Sequence, residues 1–381
     1  MDSAQLDKLL EKWKLKGSTF ARDIESDVLR YVSNRHVVYL YGPRQAGKST
    51  LARRILDQLP SKTTRRYVNL EDPSLVGELN VSLLDDVVFG LSAKDTIVLD
   101  EIQLIDGWEK WVRRAVDTRQ CQVIVTGSSA KLLSGEFATS LGGRGIGFQV
   151  LPLSFKEYQR VTGRKLDDYL RAGGYPEVTL HPDEKQKLFQ SYFELALVKD
   201  IASRYNIRDI TGLRNFAYYL LTNTGKETSL KQLRSFTGLS YDTIRQYLDA
   251  LETSFLVFQV PFFAYSMKQS LTRPRKVYAY DLGMQQYATK SFTPDTGRLA
   301  ENAVAIECKR RNHDLYYWKG KHEVDLVMKE GEAVRAVNVC WEKTPPAREN
   351  ESLKEFSTEF KKAKTTLLCG EKEIFDWLLK T

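Results

Sequence analysis

The chain has 381 residues, more than one hydrophobic core usually spans, which predicts two or three domains. Its 42% hydrophobic and 28% charged content is ordinary for a globular chain; no apolar run reaches membrane-helix length, and the amphipathic opening MDSAQLDKLLEKWKLKG lacks a signal peptide's apolar stretch. Cys121, Cys308, Cys340 and Cys369 lack redox or metal spacing and His36, His181, His313 and His322 lack zinc spacing, so free thiols in a reducing cytoplasm are expected, and the net charge of +8 permits a polyanionic partner without requiring one.

The first region, 1–160, alternates strand and helix patterns. Strands are predicted at 37–41, 66–70, 96–100, 122–126 and 147–151, with helices at 49–59 and 108–116 among the segments between them. Such alternation predicts an α/β domain whose parallel sheet is covered on both faces, with ligands beyond the carboxyl ends of the strands. The first strand runs into Gly42-Pro43-Arg44-Gln45-Ala46-Gly47-Lys48-Ser49-Thr50. This is the spacing of a phosphate-binding loop: its glycines let backbone N–H groups turn inward, Lys48 reaches the β- and γ-phosphates of ATP, and Ser49 holds Mg²⁺. The third strand ends in Asp100 and Glu101, predicted to serve the metal's water shell and to polarise the attacking water, respectively. After the fourth strand comes Thr126-Gly127-Ser128-Ser129, which either bonds the water or γ-phosphate through Thr126 or Ser128, or caps a helix. Arg144, in the glycine-rich 141–145, is a candidate for neutralising transition-state charge on a neighbouring subunit of a homo-oligomer; the other reading is a solvent-facing turn arginine.

GPRQAGKST, then LDEIQ, VTGSSAKLL, SLGGRG and LPLSFKEY, followed by Gly173-Gly174-Tyr175-Pro176-Glu177, Tyr316-Tyr317-Trp318 and Glu323-Val324-Asp325, together resemble the archaeal-type AAA ATPases. The resemblance implies ATP hydrolysis, a winged-helix middle domain (161–280) and a restriction-endonuclease-like α/β tail (281–381). The middle region reads independently as helix-turn-helix, with helices at 229–236 and 240–253 and wing strands at 255–258 and 260–264. If the second helix reads DNA, Tyr241, Arg245 and Gln246 face phosphates and base edges; the alternative is a lid or packing unit. Linkers are expected at 205–214 and 293–298.

In the tail, the family's nuclease positions match Glu301 on a helix and Asp325 on a strand, but Asn338 and Cys340 stand where a Glu-x-Lys pair belongs. Asn338 is a poorer magnesium ligand and Cys340 carries no positive charge, so a degenerate fold used for binding or assembly is expected, with Glu342 as a partial substitute. Two functional classes remain. One is an ATPase that acts on single-stranded, duplex or branched DNA; the other is a nucleotide-dependent switch acting on protein partners. An active nuclease ranks behind both.

Overall fold

An uninterrupted apolar run satisfies both its faces only inside a sheet covered on each side. Residues 37–41 do this as β1 (Val37–Tyr41), buried at every position. The computed structural model describes residues 19–32, 36–128, 142–289 and 295–380, and the chain divides into two compact units, Met1–Val150 and Leu151–Thr381.

In the first unit, α1 (Glu25–Val32) precedes β1, and α2 (Lys48–Gln58), β2 (Arg65–Asn69), α3 (Val81–Val88), β3 (Thr96–Asp100), α4 (Trp108–Asp117), β4 (Gln122–Gly127) and β5 (Gly145–Gln149) follow. The strands form one parallel sheet in the order β2-β3-β4-β1-β5. Val28 and Val32 of α1 and Leu51, Ala52 and Ile55 of α2 pack on Val38, Leu40, Val98 and Ile124 from three central strands. This places the carboxyl ends of β1, β3 and β4 side by side. Gly42, directly after β1, has φ 151°, and a Cβ there would collide with the carbonyl of Val150, so only glycine lets the loop leave β1 beside the end of β5.

The second unit begins with α5 (Phe155–Thr162), held by a capping box between Ser154 and Glu157, then α6 (Leu166–Ala172), α7 (Pro176–Leu180), α8 (Lys185–Leu195), which continues as a π-helical stretch Ala196–Ala202, and α9 (Ile210–Thr222). β6 (Glu227–Thr228), α10 (Leu230–Thr237), α11 (Tyr241–Thr253), β7 (Val257–Val260), α12 (Met267–Thr272) and β8 (Arg275–Ala279) come next, with an antiparallel sheet in the order β6-β8-β7. Beyond them lie α13 (Leu282–Thr289), α14 (Thr296–Arg310), β9 (Asp314–Lys319), β10 (Glu323–Glu330), β11 (Ala333–Cys340), α15 (Ala347–Glu359), β12 (Lys364–Cys369) and α16 (Gly370–Leu379). Their sheet runs β12-β11-β10-β9, antiparallel except for the β11/β12 pair. The Gly173-Gly174 pair has a local cause: a Cβ on Gly173 would strike the buried carboxylate of Asp281, which accepts hydrogen bonds from the backbone N–H groups of Gly174 (2.7 Å) and Met284 (2.9 Å).

Several sequence expectations need correction. Residues 260–264 do not form a wing strand. Pro261 has no N–H to give a ladder, and the segment turns instead to β9, where Phe263 N–H donates to the Tyr317 carbonyl (2.7 Å). The partner of β7 is therefore β8. The stretch expected as a linker at 205–214 is helical from Ile210, because Asp209 caps α9 by accepting from Gly212 N–H (2.8 Å). Likewise Asp295 caps α14 inside the second expected linker, by accepting from Arg298 N–H (3.1 Å); residues 293 and 294 lie outside the described residues.

Candidate functional site

The loop after β1 and the acidic end of β3 meet. Ser49, in the first turn of α2, donates its hydroxyl to Asp100 Oδ1 at 3.1 Å across 51 residues of sequence. Lys48 is buried, and its ammonium donates to the carbonyls of Gly42 (3.1 Å) and Pro43 (2.9 Å), so it lies folded over the loop it belongs to. Gln45 (φ 62°) and Gly47 (φ 94°) adopt left-handed backbone, Ala46 is fully buried, and Thr50 follows Ser49 inside α2. Arg44 pairs with Glu71 at 3.1 Å. A hydroxyl next to a carboxylate is a hard oxygen set of the kind magnesium takes, and α2 directs its N-terminus at the same place, so these residues suit a metal-bound nucleotide.

The two carboxylates have opposite environments. Burial raises the pKa of Asp100; hydrogen bonds from Thr126, Tyr67 and Ser49 oppose this, while the neighbouring Glu101 charge adds to it, and the net shift is upward. Burial also works to raise Glu101, but the Lys48 ammonium and the hydrogen bonds from Ser128 and Gln103 outweigh it and hold the carboxyl below its ordinary range. Adjacent acids are thus pushed apart, which separates their roles. Glu101 itself has left-handed backbone (φ 59°), a strained conformation for a residue with a side chain. Its Oε1 accepts from Ser128 at 2.7 Å and its Oε2 from the Gln103 amide. Thr126 and Ser128, expected at the water or γ-phosphate, therefore engage the carboxylates directly: Thr126 donates to Asp100 and accepts from the Glu101 N–H at 3.1 Å. Residues 129–141 lie outside the described residues, and with them Ser129 and the helix that TGSS is alternatively expected to cap.

Three contributors escaped the sequence reading. Tyr67 on β2 donates its hydroxyl to Asp100 Oδ2, the buried Arg22 donates to the Ala46 carbonyl (3.0 Å), and Gln103 holds Glu101. None lies within the loop motif, and only Gln103 stands near the acidic pair in sequence. Arg144 is not brought to these residues. It immediately precedes β5, whose first residue pairs with Val37 at the opposite end of β1 from the loop, and its guanidinium is bound to Asp117 at the end of α4.

On α11, Arg245 pairs with Asp242 (3.2 Å), Gln246 donates to the Tyr205 carbonyl (3.2 Å), and the Tyr241 ring lies under the Arg234 guanidinium. In the tail, Asn338 is fully buried: its Oδ1 accepts from the Asp325 N–H, while its amide donates to Glu349 and Ser352. Cys340 faces Glu342, its Sγ 3.3 Å from Oε2, and burial raises its thiol to about 11. Asp325 is the third residue of β10. The sequence missed the cation beside it. Lys276 of β8 is fully buried, its ammonium 3.0 Å from Glu301, 2.6 Å from Glu323 and 3.8 Å from Asp325, and the Tyr278 hydroxyl donates to Glu301 at 2.6 Å. Burial lowers the lysine pKa and these acids raise it far more, so Lys276 stays charged. Asp325 is raised by burial and by Glu301 despite the lysine.

A parallel five-stranded sheet with a lysine-bearing glycine loop after β1 and an acidic pair after β3 defines a P-loop ATPase domain of the AAA type. Residues 34–159 match the AAA domain model, 163–295 the domain of unknown function DUF8612 and 296–378 the domain of unknown function DUF4143. The chain is 31% identical over 366 residues to MJ1544 of Methanocaldococcus jannaschii, covering 88% of this chain and 80% of that one, and it belongs to the same family of AAA-domain proteins. A protein of Haemophilus influenzae is 25% identical, covering 93% of this chain and 96% of its own length. Among solved structures, the Walker-type ATPase PABY2304 of Pyrococcus abyssi aligns with TM-score 0.48 and 14% identity over 71% of this chain and 96% of that chain. Among the described residues, no helix is long and apolar enough to cross a membrane.

Proposed function

We propose that this protein is a magnesium-dependent ATPase whose hydrolysis drives movement coupled to DNA. One observation carries the first part: Lys48, Ser49, Asp100 and Glu101, from two separate segments, meet at the ends of β1 and β3. Lys48 would exchange the Gly42 and Pro43 carbonyls for the β- and γ-phosphates, and Ser49 with Asp100 would hold the metal. Bound magnesium neutralises charge on the transferring phosphoryl group. Glu101, kept ionised by Lys48 and buried, takes the proton of the attacking water. Thr126 and Tyr67 orient Asp100, and Ser128 orients Glu101.

The DNA part rests on the element order α9, β6, α10, α11, β7, β8, which supports a winged helix. The helix α14 followed by the mixed sheet β9 to β12 supports a nuclease-like tail without the family's Glu-x-Lys pair. The engaged side chains of α11 favour a second reading, a nucleotide switch acting on protein partners as a homo-oligomer. The test is ATP hydrolysis with and without single-stranded, duplex and branched DNA, with Glu101→Gln as control. Stimulation by one DNA form supports DNA coupling. Hydrolysis indifferent to all three turns the reading to the switch, and a Glu101→Gln variant hydrolysing at the parent rate removes Glu101 as the base.

A further inference from the structure

We infer that Gln103 orients the water molecule that attacks the terminal phosphate, an inference that rests on the hydrolase reading above. Gln103 lies in the short turn Ile102–Leu104, and the left-handed backbone of Glu101 begins this turn. The chain therefore doubles back, and the Gln103 amide returns to the carboxylate two residues earlier. Its orientation there is set by chemistry. An ionised carboxylate only accepts hydrogen bonds, so the Nε2 end of the amide must face Glu101. Its Oε1 is then buried with no hydrogen-bond partner among the described residues.

A buried acceptor without a donor is rare in folded proteins and calls for an explanation. Here the acceptor belongs to the residue touching the general base, and the proposed reaction supplies a donor of the right size. A water molecule has two hydrogens. If one is given to Glu101 and the other to Gln103 Oε1, both are committed and an oxygen lone pair is left for the phosphorus. The water oxygen then forms the new bond to the γ-phosphorus, the bond from phosphorus to the bridging oxygen breaks, ADP carries away that electron pair, and the proton passes to Glu101. Gln103 exchanges no proton. It restricts the water to the orientation from which attack occurs, while the Ser128 hydroxyl fixes the other oxygen of Glu101.

The test uses the full-length protein and Gln103→Met, which keeps most of the side-chain volume and removes both polar ends, with Gln103→Ala as a second variant should methionine disturb the turn. Hydrolysis is measured in single turnover, and binding of MgATP, of MgADP and of MgADP with aluminium fluoride by calorimetry, alongside the melting temperature. The expected result is a loss of about 10²-fold in hydrolysis. MgATP and MgADP affinities and the melting temperature should be unchanged, and the preference for the fluoride complex over MgADP, present in the parent, should be lost. Unchanged hydrolysis with the preference retained overturns the inference. So does an equal loss of affinity for all three ligands with a lower melting temperature, which marks a structural role. A parent protein that binds MgATP without hydrolysing it overturns the hydrolase reading itself and the inference with it, whereas a Glu101→Gln variant as active as the parent leaves a hydrolase but removes Glu101 as the base, and with it the water position inferred for Gln103.

Discussion

Replacing Lys276 by methionine tests how the tail is held together. The lysine is fully buried, and its ammonium meets three carboxylates, 3.0 Å from Glu301, 2.6 Å from Glu323 and 3.8 Å from Asp325. Methionine fills similar space but leaves those acids facing one another. Removing one partner of a buried ion pair costs about 3–5 kcal/mol. The Glu301 and Asp325 side chains are 14% and 16% exposed, so their share stands, whereas Glu323 at 31% has water nearby and adds little. In a unit of this size that loss lowers the melting temperature by roughly 6–20 °C. The sign with pH follows from the same charges. Asp325 is already raised by burial and Glu301, and loss of the lysine raises it further, so the variant gains stability as pH falls and loses it as pH rises through the folded pKa. Calorimetric melting of parent and variant between pH 5 and 8 is the assay. A variant within about 1 kcal/mol of the parent at every pH would refute the reasoning, because it would show the lysine to be dispensable.

Three other outcomes are expected. Lys48→Ala should lose tight MgATP binding, read by calorimetry, because it removes the cation that would reach the β- and γ-phosphates, and the buried Glu101 carboxyl should rise from its lowered range because the ammonium that holds it there is gone. Asp281→Asn should remove a pH dependence. Burial lifts this carboxyl from 3.8 to about 6 against its backbone hydrogen bonds, so the protonated form favours the fold; its stability contribution is full below about pH 4 and lost by about pH 6, a difference of about 3 kcal/mol. The stability gap between parent and Asn variant should change by that amount across this range, measured by denaturant titration. Arg144→Ala should slow hydrolysis only where subunits associate, because the guanidinium lies at the opposite end of β1 from the loop. Rates followed against protein concentration check this, and an equal loss at all concentrations would place its effect within one chain.

The strands of the first unit were legible because sheet burial on both faces leaves an apolar signature, and the loop and acidic pair because phosphate and metal chemistry admits few residue types at fixed spacing. What sequence spacing could not convey was which side chains from other strands complete the site. Tyr67 sits in RRYVN, a strand whose outer positions are exposed or half-buried, and nothing local marks its hydroxyl as a partner of Asp100. Lys276 closes a basic run in the sequence, RPRK, which by itself suggests a solvated face. In a strand, however, alternate residues face opposite sides, and the neighbours of Lys276 across the fold are acids about 25–50 positions away in sequence, beyond any periodic pattern. The wing was misread for a simpler reason, that an apolar run following β7 looks like a strand until its proline is counted as a missing donor.

The same placements bear on what the positive charge can do. A net +8 suggests a polyanion partner only if the cations are free to meet one. Several are committed instead. Lys276 is buried among acids, Arg310 and Arg311 both pair with Glu307 (3.2 and 3.0 Å), Arg114 pairs with Asp85, and Arg245 on α11 pairs with Asp242. Each such pair must open before the cation can replace a phosphate counterion, and an arginine shared with a carboxylate releases less than one ion when it does. Affinity for nucleic acid through these residues would therefore fall with salt more gently than the slope of about −0.9 per phosphate contact expected of free cations. Cations engaged in this way offer a phosphate backbone less than their number suggests, so coupling of hydrolysis to DNA has to be judged by stimulation with defined DNA forms and not by charge.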